Sequence, residues 1–257
     1  AEWLFPSLGS EIDAGNLGGR NERLKRLVLH ARLKRAGWRR DGSSSSELHA
    51  GIWTADTAIA FYDTYSDRFR QWFHGPHHVI VERMAALNRA RNFRHLVEIG
   101  CGDGQALAHC AAAMPTIGKL TGIDINPEII ARNRSVHGGV DPRLEFSAGN
   151  ASDWLAAGAS DDMLLFSYGG VMEYVDPQAL SRMFRALSAH RNVAVALVEP
   201  VDPAHDLEHD PASHIFGDEQ SFSHNHARLL GEAGFEILFH EEIRTGRIRW
   251  AMILAAS

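Results

Sequence analysis

The most constraining stretch of this chain is a short apolar run, Leu96-Val97-Glu98-Ile99, that passes directly into Gly100-Cys101-Gly102-Asp103-Gly104. Glycines at that spacing let the backbone adopt conformations closed to other residues and approach a ligand within contact distance. A strand that ends in such a turn and opens a helix belongs to a parallel sheet, whose ligands bind beyond the carboxyl ends of the strands. The sequence that follows keeps the same alternation. Strands are predicted at 95–99, 119–124, 143–148, 162–168 and 192–199, separated by helices at 105–114, 126–135 and 176–190. Asn126-Pro127 and Asp176-Pro177 each supply a capping side chain and a first-turn proline. Ser223 is expected to cap a helix ending at Gly234, and 235–241 and 247–255 to close as a hairpin through Thr245-Gly246. The predicted fold is therefore α/β, a doubly wound sheet of about seven strands with a terminal antiparallel hairpin.

Upstream the character differs. Residues 1–19 read as an irregular arm, and 21–37 as a helix with Leu24, Leu27, Val28 and Ala31 at helical spacing and Gly37 as its stop. Gly42-Ser43-Ser44-Ser45-Ser46 reads as a flexible joint. Two helices are expected between Thr54 and Arg89, broken at Gly75-Pro76. These features divide the chain into an N-terminal arm and helical cap, 1–90, and a sheet domain, 91–257.

A net charge of −6 gives no basis for a nucleic-acid partner. The local exception is the basic helix, with Arg20, Arg23, Lys25, Arg26, Arg32, Lys34, Arg35, Arg39 and Arg40 against Glu22. Contact with an anionic membrane surface or polymer is one reading of it. The favoured reading is a solvated cationic face on an arm that packs its leucines on the core or on a second subunit of a homodimer. The only two cysteines, Cys101 and Cys110, fall in the turn and the helix after it, so no bridge or cysteine-rich zinc site is expected and a reducing, cytoplasmic setting fits. No run approaches the ~20 apolar residues of a membrane span.

Asp124 ends the second predicted strand, where a carboxylate can accept from both hydroxyls of a ribose. With the glycine turn, and with Thr121-Gly122-Ile123-Asp124-Ile125-Asn126-Pro127, 145–151 and 229–236, the chain resembles the class I S-adenosylmethionine-dependent methyltransferase family over residues 93–257. The resemblance implies a Rossmann-like methyltransferase fold, with S-adenosyl-L-methionine as cofactor. It also implies roles by position. The turn Gly100, Cys101, Gly102 and Gly104 wraps the methionine moiety, Glu98 supports its amino-acid end, and Asp124 with Ile125 takes the ribose. Asn150 and Ala151 meet adenine, Ser167 completes the pocket, and Tyr62 from the cap reaches the cofactor carboxylate. Many relatives carry Asp where this chain has Asn150, so a metal site of the catechol-methylating type is not expected. The rival dinucleotide pattern Gly-x-Gly-x-x-Gly fails because its third glycine falls on Gln105.

Methyl transfer asks the protein for alignment, exclusion of water and, for an oxygen acceptor, a base. Candidates after the fourth and fifth strands are Tyr168, Glu173, His205 and His209. His205, His209 and His214 with Asp206 and Asp210 can be drawn as a metal cluster, but their spacing matches no standard ligand pattern, and no metal is assigned. The expected reaction is O-methylation of a small-molecule or sugar/glycan acceptor. The alternatives are N-methylation of a small amine, or a non-catalytic binding subunit that keeps the fold as scaffold.

Overall fold

The computed structural model describes residues 11–12, 22–38, 42–54, 69 and 71–257. Tyr62 and Tyr65 lie outside the described residues.

The parallel strands are β1 (His95–Ile99), β2 (Lys119–Asp124), β3 (Leu144–Ala148), β4 (Met163–Tyr168) and β5 (Ala194–Val201). With the antiparallel β8 (Glu236–Thr245) and β9 (Ile248–Ala256) they form a seven-stranded sheet in the order β3-β2-β1-β4-β5-β9-β8. Every residue of β4 and β5 is buried, as continuous apolar strands covered on both faces must be. Strand order reverses between β1 and β4, and the crevice described below opens at that point.

Two apolar layers cover the sheet. One packs α3 (His78–Arg91), through Ile80, Val81 and Met84, and α4 (Gln105–Ala113), through Leu107 and Cys110, against Leu96, Phe166 and Met252. The other packs α6 (Ala151–Gly158) and α7 (Pro177–Ser188) against Val97, Leu165 and Val195. On α7, Leu180, Met183, Phe184 and Leu187 recur at i, i+3, i+4 and i+7, which places one stripe on the sheet. Asn126 caps α5 (Pro127–His137) by accepting from the amides of Glu128 and Ile129, and Asp176 caps α7 likewise from Gln178 and Ala179.

Three expectations are corrected. The serine run is no joint; it opens helix α2 (Gly42–Trp53), whose Leu48 and Ile52 pack on α1 (Glu22–Trp38). Tertiary packing outweighs the weak helix propensity of serine there. On α1 the buried stripe is Val28, Leu29, Leu33 and Ala36, leaving Leu27 exposed, because the helix turns its apolar side toward α2. Ser223 does not cap the last helix: it lies in β7 (Ser221–Ser223), which pairs with β6 (His214–Phe216), and Asn225 caps α8 (His226–Glu232) from the Arg228 amide. The β6–β7 hairpin sits in an insertion between β5 and α8 whose short strands carry too little periodicity to be read from sequence.

Candidate active site

A crevice of about 690 Å³ lies over the carboxyl ends of β1, β2, β4 and β5, roofed by α2 and the β6–β7 hairpin. Its floor is the glycine turn. Gly100 has φ +66°, and a Cβ there would lie 2.4 Å from Cγ2 of Val171, so the position excludes other side chains twice over. Asp124, 5% exposed, holds the turn: Oδ2 accepts from the Gly102 amide at 3.0 Å and Oδ1 from the Asn126 amide at 2.9 Å. Asn133 donates Nδ2–H to the Gly102 carbonyl at 2.7 Å from the opposite side.

Glu98 lies beneath the turn, 2% exposed, and its Oε2 has no hydrogen-bond partner although it lines the crevice. Burial, then the nearby Asp103 and Asp124 carboxylates, pushes its carboxyl well above the usual range. An acidic, underpaired site of this kind favours a ligand that brings positive charge or a hydrogen-bond donor.

The opposite wall is built on Glu199, fully buried two residues before the end of β5. Its Oε1 accepts from the Ser167 hydroxyl at 2.6 Å, and its Oε2 from the amides of Val171 at 2.9 Å and Met172 at 3.0 Å. Burial raises this carboxyl to about 7 against those stabilising bonds. The single helical turn that it anchors, Met172–Tyr174, presents Glu173 to the crevice. Glu173 is 8% exposed and packs over Gly170, whose φ of +94° and missing Cβ make room for the carboxyl. Burial raises Glu173 to about 8; Ser221 opposes the shift by hydrogen bonding, while Glu199 and Glu219 add to it.

Tyr168, the last residue of β4, lines the crevice and donates its hydroxyl to Nδ1 of His77 at 3.1 Å, and Nε2 of His77 faces the Thr245 hydroxyl at 3.3 Å. His77 is fully buried, and burial lowers its pKa to about 4, so it is neutral; in the tautomer with the proton on Nε2, toward Thr245, its Nδ1 accepts from the phenol. His224 plays a bracing part: Nε2–H donates to the carbonyls of Met172 and Val175, and Nδ1 accepts from Ser213, which holds the Glu173 turn from behind.

Of the residues singled out from sequence, Glu98, Gly100, Cys101, Gly102, Asp124, Ile125, Asn150, Ala151, Tyr168 and Glu173 line this one crevice. Gly104, with φ +76°, closes the turn against His137 and Phe146. Asn150 spends its amide oxygen on the Ser152 amide as the cap of α6. Ser167 sits behind the wall, bonded to Glu199, and does not reach the crevice. His205 and His209 are not brought to it either. His205 is 2% exposed with both ring nitrogens engaged, by Ser223 and by the Asp210 carbonyl, while His209 is exposed and paired with Asp206. The expected reach of Tyr62 lies outside the described residues. Sequence reasoning missed Glu199, although a carboxylate ending an apolar strand, as Asp124 does, was a usable signal. It also missed Trp53, Trp250 and His77, whose positions depend on packing from distant segments.

Residues 96–190 match a family model described as a methyltransferase domain. Residues 96–190 are an S-adenosylmethionine-dependent methyltransferase domain. Its structure is similar to those of several methyltransferases. The N-methyltransferase NodS from Bradyrhizobium japonicum aligns with TM-score 0.54 at 13% identity, over 74% of this chain and 98% of that one. A Leishmania major S-adenosylmethionine-dependent methyltransferase aligns with TM-score 0.53 at 12% identity, over 78% and 82%. Magnesium protoporphyrin IX methyltransferase from Synechocystis PCC 6803 aligns with TM-score 0.50 at 16% identity, over 76% and 92%. No curated protein sequence matches the chain.

The geometry of this methyltransferase fits that cofactor. Only glycine fits at Gly100 in the turn, the orphan Oε2 of Glu98 lies below it, and Asp124 stands one strand away. Among the described residues the crevice offers no patch of lysines and arginines at the turn for a diphosphate, and its carboxylates suit a cationic sulfonium.

Proposed function

We propose that this methyltransferase transfers the methyl group of S-adenosylmethionine to a hydroxyl of a small molecule or sugar residue, with Glu173 as general base. The observation that carries the reading is a nine-tenths-buried carboxyl at the crevice with a pKa of about 8. A base is most effective when its pKa lies near the working pH, and a hydroxyl, unlike a thiolate, needs its proton removed as it attacks. The bound cofactor supplies an activated methyl on a good leaving group. The chain aligns the acceptor, excludes water and takes the proton on the Glu173 carboxylate.

The acceptor end of the crevice supports an oxygen acceptor on a flat or ring-shaped molecule. Phe69, Trp72 and Trp250 offer faces for stacking, and the buried Trp250 Nε1–H has no partner and can donate to an acceptor oxygen. We assign Glu98, Gly100, Gly102, Asp124, Ile125, Asn150 and Ala151 to the cofactor, and Tyr168 to positioning the acceptor. A second reading, transfer to an amine, draws on the carboxylates Glu47, Asp176, Asp218 and Glu219 around the same opening. Transfer of a tritiated methyl group across panels of sugars, phenols and amines tests the proposal. Labelled ethers support it; label found only on amines overturns it in favour of the second reading.

A further inference from the structure

The insertion between β5 and α8 brings together three side chains that the sequence spaces irregularly. Side-chain ligand atoms of His205, Asp210 and His214 all lie within 4.8 Å of one another, and the two imidazole rings are 4.4 Å apart. His209 and Asp206 pair with each other on the exterior and take no part.

The surroundings orient these donors. His214 directs Nε2 at Oδ2 of Asp202 at 3.0 Å, so the carboxylate holds that nitrogen protonated and leaves Nδ1 as a lone pair. The His205 Nδ1 meets the Ser223 hydroxyl at 2.8 Å, and that oxygen is itself fixed by the Asp202 amide at 2.9 Å. Nε2 of His205 lies 3.2 Å from the Asp210 carbonyl, a contact that a metal would replace once the ring proton sits on Nδ1, toward the Ser223 oxygen. One Asp210 oxygen accepts from the Ala212 amide at 2.9 Å, which leaves the other for a ligand. Imidazoles whose second nitrogens are tied to a carboxylate and a hydroxyl are oriented as metal ligands are.

We propose that His205, Asp210 and His214 form a structural divalent-metal site, filled best by zinc. Two neutral imidazoles and one carboxylate make a borderline donor set that zinc accepts in tetrahedral geometry, with water as fourth ligand. None of the three side chains lines the crevice, whereas Pro203, Phe216 and Glu219 of the same insertion do. The metal therefore ties the exit of β5 to the start of β6 and fixes one wall of the crevice without touching the chemistry.

The test uses the full chain, stripped with chelator and titrated with cobalt(II) or zinc(II) alone. One equivalent of cobalt is expected to give a visible tetrahedral d–d band, and saturating zinc to raise the thermal midpoint on the order of 5 °C. In the double variant His214→Ala, Asp210→Asn both responses should vanish. A competing histidine group, His74, His78 and His109, with His78 and His109 ring nitrogens 3.2 Å apart, is separated by His78→Ala, which should keep both responses. Should the double variant fail to fold, X-ray absorption of the wild-type zinc form decides: two imidazoles with oxygen support the site, and three imidazoles overturn it. Absence of a cobalt band, or its persistence in the folded double variant, also overturns it.

Discussion

The Asp124 carboxylate accepts the Gly102 amide at 3.0 Å, so the residue read as a ribose contact is also the brace of the turn that wraps the rest of the cofactor. A charge-assisted bond to a backbone amide contributes about 1.5–3 kcal/mol. Asp124→Ala should therefore lower affinity for S-adenosylhomocysteine by about a hundredfold or more, while Asp124→Asn, which keeps one acceptor oxygen, loses less. Isothermal calorimetry measures both, and equal affinities in wild type and Asp124→Ala would remove Asp124 from the site.

Gly100→Ala should be more damaging than its size suggests. The substitution forces alanine to φ +66° and drives a methyl group to 2.4 Å from Val171. Together these cost roughly 2–4 kcal/mol, seen as a lower denaturation midpoint and lost cofactor binding. Adding Val171→Ala relieves the clash but not the backbone strain, so a partial recovery of the midpoint is expected.

With Glu173 as base, kcat/KM should rise about tenfold per pH unit from pH 6 and level off near 8, where its carboxyl titrates. Glu173→Gln should lower kcat by about 10²–10⁴ and remove that limb of the profile while leaving calorimetric cofactor affinity within a few-fold. A profile of unchanged shape in the variant would rule the role out.

His224, fully buried and neutral with a pKa of about 4, stabilises the fold above the ordinary imidazole value of 6.5 and ceases to do so as pH falls through 4. The sign follows from the depressed folded pKa: the unfolded chain takes up the proton first. That contribution is on the order of 3 kcal/mol. The stability advantage of the wild type over His224→Gln, read from urea melts, should therefore shrink between pH 6.5 and 4. An advantage that stays constant over that range would contradict the buried, neutral state.

Tyr168→Phe separates positioning from base chemistry. The loss leaves Nδ1 of the buried His77 without its donor and the crevice without a hydroxyl. An increase in KM for the acceptor of roughly tenfold, with the Glu173 limb of the pH profile intact, is the expected split. A lost limb with unchanged KM would instead place the proton transfer on Tyr168.

What could be read from the sequence was whatever local rules dictate. Apolar runs ending in glycine turns, the Asn126-Pro127 and Asp176-Pro177 caps and the final hairpin each follow from the preferences of adjacent residues, whereas the order of the strands in the sheet came from the tertiary structure. The floor of the crevice was legible for the same reason, since Glu98, the glycines and Asp124 occupy strand ends that a parallel sheet must align. The far wall was not. His77 meets Tyr168 across 91 residues of sequence, Ser167 meets Glu199 across 32, and Trp53 reaches Asn126 across 73. Those contacts are decided by how helices and insertions pack on the finished sheet. That is also why His205, plausible by its place after β5, turns away from the crevice, since its bond to Ser223 forms only when the insertion folds back; His209 stays on the exterior, paired locally with Asp206.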